Sequence, residues 1–420
     1  MKKRILSILL ALTFLMASFT SYAAGGGYET IRLGLFFGST AKNCVTLKSD
    51  GGFLIGTVKN GIFEQVADAF QNELFALINA NGVIEINGIY ENTDKSELSV
   101  RPKNGIVSVN GVRYRGNISL LQSQNLMTII NEVGLEEYLY SVIGKEMSPS
   151  WHLEALKAQA ICARTYAINN RNKYSSYGFN LCTTQASQVY PGLSSETART
   201  RQAVDETRGQ TVKYNGKTAQ TFFFSSDGGK TANVKYVWGS SFPYLVSVDD
   251  PFENSAEASY SNWTASFTAS QIKEKLAAAG VDIGNIIDIY IDGADNGTVY
   301  NLVIKGDNGQ HVLKNEKTRT FLGLKSQFYT VNVFGGELTL KNAWLSIKSV
   351  LPSVYKTKNE SLIDAVMKGY PANGETTFAF NGKGWGHRIG MSQWGAKAMA
   401  EKGYNAAQIL TYYFPGTTVE

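Results

Sequence analysis

Residues 134–171 read GLEEYLYSVIGKEMSPSWHLEALKAQAICARTYAINNR, and the rest of the chain is organised around the way this stretch folds. Leu135, Leu139, Val142, Ile143 and Met147 recur at three- and four-residue steps, so a first helix is expected to bury that stripe and carry Glu146 near its C-terminal end. Ser148, Pro149 and Ser150 break it. Ser150 suits the N-cap of a second helix, in which Leu153, Leu156, Ala160, Ala163 and Ala167 form a narrow apolar face that permits close packing. Glu146 then sits at the corner of two helices, between apolar neighbours and Trp151. Desolvation at such a corner raises a carboxyl pKa and makes a usable general acid. The same position also suits a glutamate that simply ends a helix and faces water.

Upstream, residues 28–112 alternate in short apolar runs punctuated by Asn-Gly at 60, 81, 87, 104 and 110. Asn-Gly between apolar runs is the strongest short hairpin signal. A β-rich module is expected there, with one amphipathic helix over 64–77 carrying Val66, Phe70, Leu74 and Leu77. No constellation in this module suggests chemistry.

The chain begins with Lys2, Lys3 and Arg4, an apolar run over 5–19, and Ser21-Tyr22-Ala23 with small residues at the first and third positions. This is the pattern of a secretory signal peptide over 1–23, cleaved after Ala23. The apolar run is shorter than the roughly 20 residues of a spanning helix, so a membrane role is expected only if this segment is retained. Its removal leaves 37 Lys and Arg against 35 acidic residues, a balance that gives no reason to invoke nucleic acid. The 22 Tyr, 21 Phe and 41 Gly suit a strand-rich globular protein, and the aromatics suit sugar binding as well as strand filling. Cys44, Cys162 and Cys182 are too few, and wrongly spaced, for a disulfide framework. Cys162 occupies a small-residue position of the second helix and is expected to be a buried thiol.

Downstream, a helix over 195–207 precedes a hairpin turning at Asn215-Gly216, which delivers Ser225-Ser226-Asp227-Gly228-Gly229-Lys230-Thr231. The glycines allow close backbone approach to a ligand, and the hydroxyls and carboxylate can bond sugar hydroxyls; a tight turn with solvated polar residues fits equally. Asp250 is the second acid of interest. A helix over 271–279 closes at Gly280, strands follow over 286–291, 299–304 and 311–313, and the Lys- and Ser-rich stretch 335–376 reads as a surface insertion. The glycines around Trp385 lack the strand-turn-helix context of a nucleotide loop. Gly390-Met391-Ser392-Gln393-Trp394-Gly395 is one residue out of register with a serine nucleophile elbow, which excludes a serine hydrolase.

The run EEYLYSVIGKEM followed by W-x-LEALKAQA-x-x-ARTYA resembles the SpoIID/LytB family of sporulation and amidase-enhancer proteins. Further matches occur in the family's order at Gln188-Val189-Tyr190, the Ser225 turn, Val237-Trp238-Gly239, Pro243-Tyr244-Leu245, Trp263 and the 384–397 block. The resemblance covers about 114–420. It implies a mixed α+β domain over 113–420 with a cleft, which with the β-rich module read from the hairpin pattern over 28–112 makes an α+β fold. It also implies a secreted, wall-associated lytic transglycosylase with Glu146 as its acid, or a non-catalytic enhancer of a cell-wall amidase. Glycan strands would then be the substrate or ligand, met by Trp151, Lys157, Arg164, Gln188, Tyr190, Ser225, Ser226, Asp250, His387 and Gln393. Some members hold zinc in the loop before the matched Gln188. Here Ala186 and Ser187 stand at the ligand places, so neither zinc nor any other cofactor is expected.

Overall fold

The computed structural model describes residues 30–253, 262–334 and 375–420. A run of strands over Thr30–Gly134 precedes the α-helices, which are then interspersed with further strands, giving an α+β fold. The expected signal segment 1–23 lies outside the described residues, as does the expected insertion apart from Glu375 and Thr376. Among the described residues no helix is long and apolar enough to cross a membrane.

Two compact units form. The first takes in the described residues up to Tyr138 together with Asn170–Ser194. Its core is a seven-stranded sheet and a six-stranded sheet sharing one apolar cluster, in which Leu47, Phe53, Ile55, Leu98, Val100, Ile118, Leu120 and Ile129 are fully buried. Asn60-Gly61 and Asn110-Gly111 have positive φ at both residues and join paired strands two residues apart, the left-handed turn that matches strand twist. The unit continues past the 112/113 boundary read from the sequence, because Asn117–Ser123 and Leu126–Gly134 pair with Glu97–Pro102 and Thr30–Phe36 in the larger sheet.

The helix expected over 64–77 is absent. Two strands, Ile62–Ala69 and Glu73–Ile78, stand in its place. Val66 and Phe70, which were to anchor the helix, are 42% and 80% exposed, whereas Leu74 and Ala76 are buried at a two-residue step. Four-residue spacing of Val66, Phe70 and Leu74 mimicked a helical face, and pairing of both segments with neighbouring strands outweighed it.

The second unit takes in Leu139–Asn169 and the described residues from Ser195 on. The first helix is Leu135–Glu146 and the second Leu153–Asn169, as the periodicity predicts, and all five stripe residues of the first are buried. The second helix has no solvent face over most of its length. Residues 155–156 and 158–167 are all buried, because its alanines let Ala198–Asp205, Gln393–Glu401 and Ala406–Tyr413 close around it. Cys162 is buried there, and burial pushes its thiol up to about 12. A further lobe of this unit packs Trp263, Ile272, Leu302, Tyr329, Phe378 and Phe380 between two three-stranded sheets and the helix Ala269–Ala278.

Gly144 fixes how the first helix meets the Ser195 segment. A Cβ at that position would lie 1.9 Å from the Ser195 carbonyl oxygen, while Ser195 Oγ donates to the Ser141 carbonyl at 2.7 Å. Gly144→Ala is therefore expected to lower stability by roughly 1–3 kcal/mol through overpacking, measurable as a lower denaturant midpoint at unchanged slope.

Candidate active site

Glu146 is the last residue of the first helix and is partly buried. The amide of Gln393 donates from Nε2 to Glu146 Oε2 at 3.3 Å. Gln393 is held there because it opens the helix Gln393–Glu401, whose N-cap, Ser392, accepts from the Gly395 N–H at 3.2 Å. The next residue, Trp394, donates its backbone N–H to the Ser225 carbonyl at 3.1 Å, so one otherwise unbonded N–H of the first turn is satisfied by the Ser225 turn. The ring of Trp394 packs against Trp151 with centroids 4.9 Å apart. Glu146, Gln393, Trp151, Trp394 and Ser225 thus come from three separated stretches and meet in one unit.

Behind them lies a buried acidic cluster. One carboxylate oxygen each of Asp227, Asp250 and Glu253 lies within 4.8 Å of the others. Glu253 accepts from Ser226 Oγ at 2.5 Å, from the backbone N–H groups of Asp227 and Gly228 at 2.9 and 3.1 Å, and from Ser392 Oγ at 2.9 Å. Asp250 accepts from the N–H groups of Phe252 and Glu253 and from the Tyr413 hydroxyl. Asp227 Oδ1 accepts from Gly229, and a side-chain hydrogen bond joins the Asp227 carboxyl to Asp250. Burial, then the Asp250 and Glu253 charges, push the Asp227 carboxyl well above the usual range, so it retains its proton further up the pH scale. With every oxygen of Asp250 and Glu253 already accepting, the cluster is built as a hydrogen-bonded knot that ties the Ser225 turn to the helix carrying Gln393.

Arg388 supplies the compensating charge. It is fully buried with φ of 62°, donates to the Asp227 and Lys230 carbonyls and to Thr298 Oγ1, and lies 4.2 Å from the Phe328 ring. Burial lowers its guanidinium to about 10, against the opposing pull of Asp227 and Glu253.

Several residues expected to meet substrate are instead held inside the protein. Ser226 and Asp250 are buried within the knot. Arg164 is buried and donates to the Gln210 and Val204 carbonyls. Lys157 bridges Glu154 and Glu206 at 2.9 and 2.7 Å. Gln188 and Tyr190 belong to the first unit, where Gln188 accepts from Tyr138 and Tyr190 donates to Asn131. Their types gave no clue to this, because a buried polar residue with a distant partner looks in sequence like an exposed one. Glu253, Ser392, Arg388 and Trp394 were missed as site-builders. The last three lie in the quoted C-terminal block, but only the fold shows what they touch.

His387 packs among Phe222, Phe224 and Trp238, and its Nδ1 accepts from the Ile389 N–H at 3.0 Å. Burial, reinforced by the Arg319 charge, pushes it down to about 3, so it is neutral at pH 7. A depressed folded pKa means stability that is present above the unfolded value near 6.5 and lost as pH falls towards 3. His387→Gln is expected to flatten the loss of stability across that window in an acid titration followed by circular dichroism.

The Cys182 loop shows no ligand set among the described residues: burial raises the thiol, but hydrogen bonds with Ser187 and Thr184 more than offset it.

The model of the stage II sporulation protein family, SpoIID, matches residues 123–214, which contain the helix pair and Glu146. An uncharacterized protein of Brachyspira hyodysenteriae is 29% identical over 362 residues, covering 84% of each chain. The amidase enhancer of Bacillus subtilis is 29% identical over 366 residues, 77% of this chain and 47% of that protein. Stage II sporulation protein D of the same organism is 28% identical over 305 residues, 69% of this chain and 75% of its own. The helix pair with its terminal glutamate lies inside the matched region, and these similarities support a role related to the cell wall.

Proposed function

We propose that the protein is an extracytoplasmic lytic transglycosylase that cleaves glycan strands between N-acetylmuramic acid and N-acetylglucosamine, with Glu146 as its single acid and base. The observation that carries the reading is the Gln393 amide on Glu146 Oε2, beside the Trp151 and Trp394 rings. An N–H on Oε2 makes Oε1 the oxygen that carries the proton. That proton passes to the glycosidic oxygen as the C1–O bond breaks. The muramoyl C6 hydroxyl then attacks C1, and its proton returns to the carboxylate, so no water is consumed and the acid is regenerated. A second carboxylate to activate water is not needed, in keeping with Asp227, Asp250 and Glu253 being committed to one another. Trp151 and Trp394 offer apolar faces to sugar rings.

A second reading rests on the amidase enhancer similarity: a wall-binding protein that stimulates a partner amidase without cutting glycan. Purified strands stripped of stem peptides, incubated with the protein alone, separate the two. The enzyme shortens them. An enhancer leaves them intact and accelerates stem-peptide release only when an amidase is added.

A further inference from the structure

The corner between the first two helices carries Trp151 and follows directly on Glu146. Within it the Trp151 N–H donates to the Ser148 carbonyl at 3.0 Å, and the Ser148 and Ser150 hydroxyls pair at 2.8 Å. These bonds shape the turn without tying it to the rest of the unit. Arg199, an exposed residue of the helix Ala198–Asp205, supplies such a tie. Its Nε donates to the Pro149 carbonyl at 2.8 Å and its Nη2 to the Trp151 carbonyl at 2.9 Å. Both donors lie on one edge of the planar guanidinium, so a single rigid fork fixes two carbonyls of the turn.

The position of this cation in its own helix is unfavourable. Arg199 stands second after the Thr197 N-cap, in the turn where the helix dipole favours an acid. Its partners, not its helix, account for it. The segment leading to it also grips the first helix, since Ser195 Oγ donates to the Ser141 carbonyl and the absent side chain of Gly144 admits the Ser195 carbonyl. Ser195 and Arg199 thus bracket Glu146, one holding the helix before it and the other the turn after it.

We propose that Arg199 is a positioning residue for the candidate active site: its fork holds the corner so that Glu146 stays on the Gln393 amide and the Trp151 ring stays on Trp394. Without the fork, the Pro149 and Trp151 carbonyls turn to water and the turn shifts. A displacement on the order of 1 Å at an acid can cost about 100-fold in rate. The inference deepens the transglycosylase reading above and rests on it for the effect on rate, though not for the effect on the corner.

The test uses Arg199→Ala and Arg199→Lys in the full chain, with two readouts. The Trp151 and Trp394 indoles, 4.9 Å apart, are close enough for exciton coupling, and the circular dichroism band they share is identified as the one missing from Trp151→Phe. Arg199→Ala is expected to lose most of that band, and millimolar guanidinium chloride to restore it where sodium chloride at equal ionic strength does not. Arg199→Lys keeps the charge and loses the fork, so it is expected to keep only part of the band. Turnover of saturating stripped glycan strands, per folded molecule, is expected to fall about 10- to 100-fold in Arg199→Ala and to recover in part with guanidinium. The proposal is overturned if Arg199→Ala keeps the band, if it loses the band yet cuts strands at the wild-type rate, or if the rate falls with the band intact. A wild-type chain that cuts no strands counts against the transglycosylase reading instead, and the band alone then decides whether Arg199 holds the corner.

Discussion

Glu146→Gln is expected to reduce glycan cleavage by about 10²- to 10⁴-fold while leaving the melting temperature within a few degrees of wild type. Glutamine preserves the shape at the end of the first helix and can still meet Gln393 across the 3.3 Å contact by presenting its carbonyl. What it loses is the proton. The leaving oxygen then departs unprotonated, and no carboxylate waits for the C6 hydroxyl proton. Initial rates of strand shortening at matched concentrations of folded protein check this. A variant as active as wild type would move the acid elsewhere, and a variant that unfolds would show that Glu146 serves the helix corner instead of the reaction. Glu146→Asp should recover only part of the rate, since the carboxyl is withdrawn by one methylene from a geometry set by Gln393.

Arg388→Met is expected to be the most destabilising single change in the second unit, by about 3–5 kcal/mol, because it leaves buried carboxylates without their compensating cation. It also strips the Asp227 and Lys230 carbonyls and Thr298 Oγ1 of a donor. For a unit of this size the melting temperature should fall by roughly 10 °C. The deficit should depend on pH with a fixed sign. Asp227 has a raised folded pKa, so its contribution is present at low pH and is lost as pH rises through the folded value. Removing the guanidinium strengthens the need for that proton. Thermal melts at pH 5 and pH 8 should therefore show a smaller deficit at pH 5. His387 acts in the opposite direction below its ordinary pKa, so the comparison is cleanest in the His387→Gln background.

The helix pair was legible because two signals agreed: the apolar stripe of Leu135 to Met147 and the Ser-Pro-Ser break before the second helix. The hairpins were legible because Asn-Gly carries its own backbone preference, realised at Asn60, Asn110 and Asn215. The 64–77 segment was misread because an exposed edge strand places Val66 and Phe70 wherever solvent tolerates them, and their spacing happened to be helical. Of the candidate site, Glu146, Trp151 and Gln393 were named from the family resemblance, and the fold brings the Gln393 amide to Glu146. The knot behind them was not legible. Ser392 and Glu253 lie 139 residues apart, and nothing in either local sequence records that they bond. Ser226 and Asp250 were expected at the surface but are buried, since burial of a polar residue depends on donors that only the tertiary fold supplies.

The central claim is that Glu146 drives an intramolecular attack by the C6 hydroxyl, and the chemical nature of the new chain end reports on it directly. Mass spectrometry of stripped glycan strands digested by the wild-type protein alone should find 1,6-anhydro-muramoyl ends, one water lighter than hydrolytic ends, and the Glu146→Gln digest should lack them. Hydrated reducing ends, or strands left uncut by the wild-type protein, would contradict the account.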